Sequence, residues 1–313
     1  MNVVVITGDK SFGPGHPRFE LQKMAVENLS VIYMGKGGVW PKIPEGKFSS
    51  TDGPASGWEV VSTQDPLLRG VFGWFAAKRL GARLNVQVHM DLRALPRWKR
   101  LLATIVLRRA DSVRVVSEKI KQQVESMSVR AKISVLPVFV DVERFRDVPR
   151  QSHPQKTILW IGRFEDEKDP LYAVSVFKQV REAKPRAEVK LVMLGNGSLE
   201  PSLRKEISRS NLGGKVELPG WQDPRDYLAA ADVVLCTSRH ESWGASIVEA
   251  LAANVPVVAP DVGIAREAGA MVVARSDLAF GVVEALRSGA RGELKLHLLN
   301  KDEWARAWKK SLQ

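Results

Sequence analysis

Residues 157–210 read TILWIGRFEDEKDPLYAVSVFKQVREAKPRAEVKLVMLGNGSLEPSLRKEISRS, and their rhythm decides the fold. Thr157–Ile161 is an apolar run of strand length, and Pro170 opens a helical period that reaches Ala183. Val189–Leu194 is a second buried strand and Leu199–Ser210 a second helix. Further strands follow at Val216–Leu218, Val233–Cys236 and Val255–Ala259, with helices at Asp226–Ala230 and Ser246–Ala253. Strands alternating with helices imply a parallel sheet covered on both faces, with ligands at the carboxyl ends of the strands.

Upstream the same alternation occurs once already. Val3–Thr7, Leu29–Met34, Glu59–Ser62, Leu84–His89, Val113–Val116 and Ile133–Pro137 read as strands. Arg18–Asn28, Pro66–Leu80, Pro96–Arg109 and Glu118–Ser126 read as helices, the last capped by Ser117. Residues 35–57, rich in Gly, Pro, Ser and Lys, read as loop. The polar stretch Asp147–Gln155 (DVPRQSHPQ), with two prolines and a fresh strand after it, reads as a linker. The expectation is an α/β chain of two facing, doubly wound, Rossmann-like domains with a cleft between them. The first covers 1–150 and the second 151–300. A helix over 301–313 carries Trp304 and Trp308 four apart on one face, suited to packing back on the first domain.

The chain has 313 residues, 44% hydrophobic and 26% charged, enough for two cores. The single cysteine, Cys236, excludes a disulfide framework. No apolar stretch approaches the ~18–20 residues that a membrane span needs. The opening MNVVVIT reads as a first strand rather than a signal peptide, so a cytoplasmic protein is expected. The net charge of +12 is concentrated in residues 1–150, where 24 Lys and Arg face 14 Asp and Glu, a net of 24 − 14 = +10. On charge alone nucleic acid, an anionic membrane surface and an acidic substrate all remain open.

The segment of greatest chemical interest is Ser238–Pro260, SRHESWGASIVEALAANVPVVAP. Glu241 stands in a loop after a strand and Glu249 lies within the next helix, too far apart for a shared-proton pair. Such carboxylates can hold hydroxyls at two ends of an extended ligand. Between them Gly244 and Ala245 open a helix whose free N–H groups favour a phosphate. In Ile161–Pro170 (IGRFEDEKDP), Arg163 and Lys168 occupy a strand-to-helix loop where two cations can meet a diphosphate. The plainer readings are solvated glutamates and a loop ion-paired through Glu165, Asp166 and Glu167. A metal site on those three acids is a further reading.

The run ESWGASIVEALAANVPVVA resembles the E-x7-E signature of retaining glycosyltransferases of family 4, departing from its usual form at Ser242, Trp243 and Asn254. IGRFEDEKDP resembles that family's G-R-x4-K element. Leu218–Trp221, Tyr227–Asp232, Asp261–Gly269, Ala110–Ser117 and Phe139–Phe145 are similar to its other punctuation, so the resemblance runs over about 84–275. It implies the two-domain GT-B fold and transfer of a sugar from a nucleotide-diphosphate donor with retention, without a metal and without a cofactor. By the family pattern Glu241 contacts donor-sugar hydroxyls and Glu249 the ribose. Gly162, Arg163, Lys168, Ser242, Trp243, Gly244 and Ala245 complete the donor side. His89, at a strand end, corresponds to a histidine near the reacting centre. The expected catalytic set is His89, Glu241, Arg163 and Lys168.

The glycine loop Gly8–His16 (GDKSFGPGH) is the candidate acceptor contact, through Gly13, Gly15 and His16. The basic first domain suggests an anionic or lipid-linked saccharide acceptor, hence cell-surface polysaccharide or glycolipid synthesis. Residues 93–109, RALPRWKRLLATIVLRR, fit either a helix lying at the inner face of the membrane or a core helix with basic ends. Rival readings are a nucleotide-sugar epimerase or phosphorylase on the same fold, a basic nucleic-acid-binding protein, and a membrane scaffold. No nucleic-acid recognition module is legible, so no nucleic acid is expected.

Overall fold

A computed structural model describes residues 1–35, 57–151, 155–183 and 188–313. Most of the loop expected over 35–57, and part of the expected linker, lie outside the described residues. The chain divides into two compact units, one of Met1–Phe139 with Leu299–Gln313, the other of Val140–Leu298.

The first unit runs β1 (Asn2–Thr7), α1 (Pro17–Ala25), β2 (Asn28–Tyr33), β3 (Val60–Thr63), α2 (Leu68–Leu80), β4 (Arg83–Val88), α3 (Arg97–Leu107), β5 (Ser112–Val115), α4 (Glu118–Glu125) and β6 (Lys132–Val135). All strand pairs are parallel, in the order β2-β1-β3-β4-β5-β6. β1 is buried along its whole length, as a strand covered on both faces must be. The α1 helix ends earlier than its apolar period suggests. Asn28 joins the sheet opposite Asn2, its amide donating to Asn2 Oδ1 at 2.9 Å. The α2 helix likewise starts at Leu68 rather than Pro66, because Asp65 turns back to accept from Leu67 N at 2.9 Å and pairs with Arg69.

The second unit runs α5 (Glu143–Arg146), β7 (Lys156–Ile161), α6 (Pro170–Ala183), β8 (Val189–Leu194), α7 (Glu200–Arg209), β9 (Val216–Gly220), α8 (Pro224–Leu228), β10 (Val233–Leu235), α9 (Ala245–Ala252), β11 (Val257–Ala259), α10 (Ala265–Ala268), β12 (Met271–Val272) and α11 (Leu278–Ser288). Its sheet is also parallel, ordered β12-β11-β10-β7-β8-β9. Trp160, Phe164, Phe177, Leu191, Met193 and Val282 lie in the buried cluster beneath α6, α7 and α11. Residues 140–150, assigned to the first domain from sequence, fold with this unit. The α5 helix packs on α9, and Arg150 donates to the Leu228 carbonyl at 3.4 Å and to the Ala231 carbonyl.

Helix α12 (Lys301–Ser311) belongs to the first unit and packs on α1. Asn300 and Glu303 cap it reciprocally, each side chain accepting from the other's N–H at 3.0 Å, which satisfies two orphan donors of the first turn. Trp304 and Trp308 are both buried.

Both sheets reverse direction beside the strand that begins them, β1 against β3 and β7 against β10. In doubly wound sheets the crevice beyond the carboxyl ends at such a reversal is where ligands bind.

Candidate active site

At the reversal of the second sheet, β7 ends at Ile161 and β10 at Leu235, so the loops 162–169 and 236–244 face each other. The loop after β8 supports the first of these. Phe164 N donates to Asn196 O at 2.7 Å, Leu199 N to Phe164 O at 2.9 Å and Gly162 N to Leu194 O at 3.0 Å. The approach is so close that a Cβ on Gly195 would lie 1.8 Å from Gly162 O, and one on Gly197 2.5 Å from Phe164 O. Only glycine fits at either position. The G-x-G at 195–197 follows a strand and precedes a helix, and that context is the signal by which the sequence marks it.

A second set of contacts ties the two loops. Thr237 Oγ1 accepts from Trp160 Nε1 at 2.9 Å and lies 2.9 Å from Lys168 O. Asp169, held at φ +50°, accepts from Arg239 Nε at 2.9 Å and Arg275 NH2 at 2.7 Å. Arg275 also donates to Thr237 O at 2.5 Å and lies over the Tyr172 ring, 4.6 Å from its centroid. Asp169, Arg239 and Arg275 were not expected as site residues. Their partners lie far away in sequence, so no local pattern marks them.

On this frame Lys168 Nζ pairs with Glu241 Oε1, which also accepts from Ser238 Oγ at 2.8 Å. Both side chains are largely buried, Glu241 at 10% and Lys168 at 19% exposure. Arg163 does not join them. It is 67% exposed and pairs with Glu167 at 2.5 Å. Glu165 instead accepts from Ser198 N at 3.0 Å and Ser198 Oγ at 2.7 Å. Among the described residues no cluster of three or more His, Cys, Asp or Glu could hold a metal ion. Gly162 opens the first loop, and Ser242 and Trp243 continue the second. Gly244, at φ +108°, caps α9, where Ala245 is the first residue. Ile264 N fixes the second loop by donating to Trp243 O at 3.0 Å. Trp243 is buried, and its indole N–H has no acceptor among the described residues.

Glu249 stands apart from Glu241. It is half-buried on α9, and among the described residues nothing donates to its carboxyl. Burial pushes its pKa up to about 7, the Asp223 carboxylate adds to this, and the Arg144 guanidinium opposes it. Asp223 itself is held down at about 2 by hydrogen bonding from Arg225. A cavity of about 740 Å³ in this unit is lined by Arg144, Asp147, Arg225 and Asp226 among others.

In the first unit His89 follows β4. Its Nε2 lies 3.0 Å from Gln87 Oε1, and burial, with the cations Arg114 and Arg18, drives its pKa down to about 3. His16 caps α1, its Nδ1 accepting from Arg18 N at 3.2 Å. Burial lowers its pKa and Arg18 lowers it further, while Asp9 raises it. Asp9, paired with Arg18 at 2.6 Å, and Glu20, which accepts from Gly15 N at 2.8 Å, pin the loop that carries Gly13 and Gly15. Helix α3 has two faces. Ala103, Val106 and Leu107 are buried, whereas Trp98 and Leu101 are 65% and 63% exposed and Ile105 is exposed beside them. No helix among the described residues is long and apolar enough to cross a membrane.

Comparison with known proteins agrees with this architecture. The model described as "Glycosyl transferases group 1" matches residues 155–290, and that described as "Glycosyl transferase 4-like domain" matches residues 13–138. The chain belongs to the group 1 glycosyltransferases. Among its relatives, the glycosyltransferase MJ1059 of Methanocaldococcus jannaschii is 27% identical over 49% of the chain and 40% of that protein. A teichuronic acid biosynthesis glycosyltransferase of Bacillus subtilis, TuaC, is 24% identical over 80% of the chain and 61% of that protein. The chain thus spans less than two thirds of either relative's length. Among solved structures, Anabaena HepE in complex with UDP and glucose superposes with a TM-score of 0.70 at 15% identity, covering 100% of the chain and 95% of HepE. At that identity the likeness concerns the GT-B fold, two Rossmann-like units each built on a parallel sheet.

Proposed function

We propose that the chain is a retaining, metal-independent glycosyltransferase needing no cofactor, moving a sugar from a nucleoside-diphosphate donor to an acceptor hydroxyl. The observation that carries this reading is the Lys168–Glu241 pair at the reversal of the second sheet. A carboxylate and an ammonium that neutralise each other are already stripped of much of their water. The ammonium keeps donors for a phosphate oxygen, and the carboxylate keeps acceptor positions for sugar hydroxyls. Glu241 therefore holds the sugar, Lys168 the diphosphate, and the N–H groups of Gly244 and Ala245 at the start of α9 the charge that develops as the diphosphate leaves. Arg163 can exchange Glu167 for the diphosphate cheaply, since an exposed ion pair contributes only about 0–1 kcal/mol. Gly162, Ser242 and Trp243 shape the same pocket, and Glu249 takes the ribose. That HepE is seen with UDP and glucose, and TuaC is assigned to teichuronic acid synthesis, supports a nucleotide-sugar donor and a role in cell-surface polysaccharide or glycolipid assembly.

His89 contacts and positions the sugar or acceptor, and Gly13, Gly15 and His16 contact the acceptor, an anionic or lipid-linked saccharide. The exposed Trp98, Leu101 and Ile105, flanked by Arg97, Lys99, Arg100, Arg108 and Arg109, fit an anionic bilayer surface on the cytoplasmic side. Incubating the protein with labelled UDP-, GDP- and ADP-sugars tests the reading. Transfer that requires an added acceptor, with the anomeric configuration kept, is expected. Conversion of the donor sugar without acceptor would mark an epimerase instead.

A further inference from the structure

Beneath His89 a line of buried polar side chains crosses the first sheet. Asn85 Nδ2 donates to Ser112 Oγ at 2.9 Å and to the Ser311 carbonyl of α12 at 3.0 Å. Ser62 Oγ donates to Asn85 Oδ1 at 2.9 Å, and Gln87 Nε2 donates to Ser62 Oγ at 2.8 Å. At the far end Arg114 NH1 donates to Gln87 Oε1 at 2.7 Å. Arg114 is buried, and among the described residues no carboxylate pairs with it. Its other nitrogens donate to the Leu136 carbonyl at 3.1 Å and the Pro137 carbonyl at 2.8 Å, and it lies 5.1 Å from the Trp304 ring centroid.

The two ends of this line fix the direction of the hydrogen bonds that join Asn85, Ser62, Gln87 and Arg114. A backbone carbonyl can only accept, so the Asn85 amide must turn its NH2 to Ser311 and its oxygen to Ser62. A guanidinium can only donate, so the Gln87 amide must turn its oxygen to Arg114. Oxygen at that position leaves Nε2 of His89 one productive role, that of donor.

We propose that Gln87 and Arg114 are positioning residues that lock His89 as its Nε2–H tautomer, leaving Nδ1 a bare acceptor for a substrate hydroxyl. The lock itself is independent of the reaction; only its last clause rests on His89 contacting substrate as set out under Proposed function. Among the described residues nothing donates to Nδ1. The charged groups around the ring are Arg114 on β5 and Arg18 on α1, the latter paired with Asp9. Asp91, two residues on, is engaged with Arg93 N at 2.9 Å. Burial opposes protonation most and both cations add to it, so the ring stays neutral across the physiological range. Trp304 and Ser311 extend the lock to α12, which gives the C-terminal helix a hand in the histidine's chemistry.

Proton–nitrogen correlation spectra of the full chain with 15N-labelled histidine test the lock, with His89→Gln assigning the signals. The wild type is expected to show protonated Nε2 and bare Nδ1 for His89, unchanged from pH 8 to 5. Arg114→Lys keeps a donor-only cation and should preserve this state. Arg114→Met should give mixed tautomers or a titration within that range. Should Arg114→Met fail to fold, Gln87→Glu serves in its place. Its carboxylate pairs with Arg114 and should draw a second proton onto His89 near neutrality. A wild-type Nδ1–H tautomer, or a folded Gln87→Glu protein whose His89 stays neutral at pH 5, would overturn the proposal. If the lock is seen but Gln87→Glu transfers sugar with unchanged kcat, KM and pH profile, the substrate role of His89 falls while the lock stands.

Discussion

The two units hold their charged and polar groups by different means. In the second, the charged groups stand on loops, and pairs that bridge those loops hold them: Lys168 to Glu241, and Asp169 to Arg239 and Arg275. In the first, the decisive groups lie within strands. Arg114, Gln87 and Asn85 are buried in the sheet itself, and a distant helix, α12, supplies a carbonyl to Asn85 and an aromatic face to Arg114. Loop pairs can exchange partners when a ligand arrives, whereas a buried network with no spare acceptor cannot. The arrangement suits a second unit that grips and releases a charged donor, and a first unit that holds one histidine in a fixed protonation state.

Three measurements would break or sharpen that contrast. The largest effect is expected at Trp308, which is fully buried. Trp308→Ala should cost about 3–5 kcal/mol in denaturant unfolding; a cost within the scatter of surface substitutions would mean that α12 is not integral to the first unit. The next concerns Glu249. Its carboxyl is raised from the ordinary glutamate range to about 7 in the folded chain, so the folded state binds the extra proton. Stability is then lost as pH rises from the unfolded pKa to the folded one, and the full penalty remains above about 7. Glu249→Gln should accordingly raise the melting temperature more at pH 8 than at pH 5, and equal shifts at the two pH values would refute the buried-carboxyl description. The smallest effect on stability is expected at the exposed Arg163–Glu167 pair. Arg163→Ala should change stability by about 0–1 kcal/mol and weaken donor affinity roughly tenfold, the loss of one charge-assisted contact. Calorimetric titration separates the two.

Much of this was legible in the sequence. The α6 helix, from Pro170 to Ala183, and the β8 strand, from Val189 to Leu194, have the bounds that their periodicity gives, because apolar period and proline punctuation act locally. What escaped is non-local. Residues 140–150 read as the tail of the first domain, since nothing nearby says that α5 packs on α9. Nothing within Val113–Val116 marks Arg114, because its partners, the Leu136 and Pro137 carbonyls and the Trp304 ring, stand on other segments. Lys168 and Glu241 stand out in separate motifs, but 73 positions divide them, and no spacing rule could join them. Arg163 and Lys168 share one loop in the sequence, whereas in the structure Arg163 has a surface partner of its own.

The pairing of Lys168 with Glu241 is the centre of the account, and Glu241→Gln tests it most directly. With the donor that the sugar-nucleotide panel selects, kcat/KM for transfer should fall roughly a hundredfold, the scale of a lost charged hydrogen bond to the sugar. Binding of the sugar-free nucleoside diphosphate and the thermal unfolding midpoint should stay close to wild type. Near-wild-type transfer by Glu241→Gln would contradict the account.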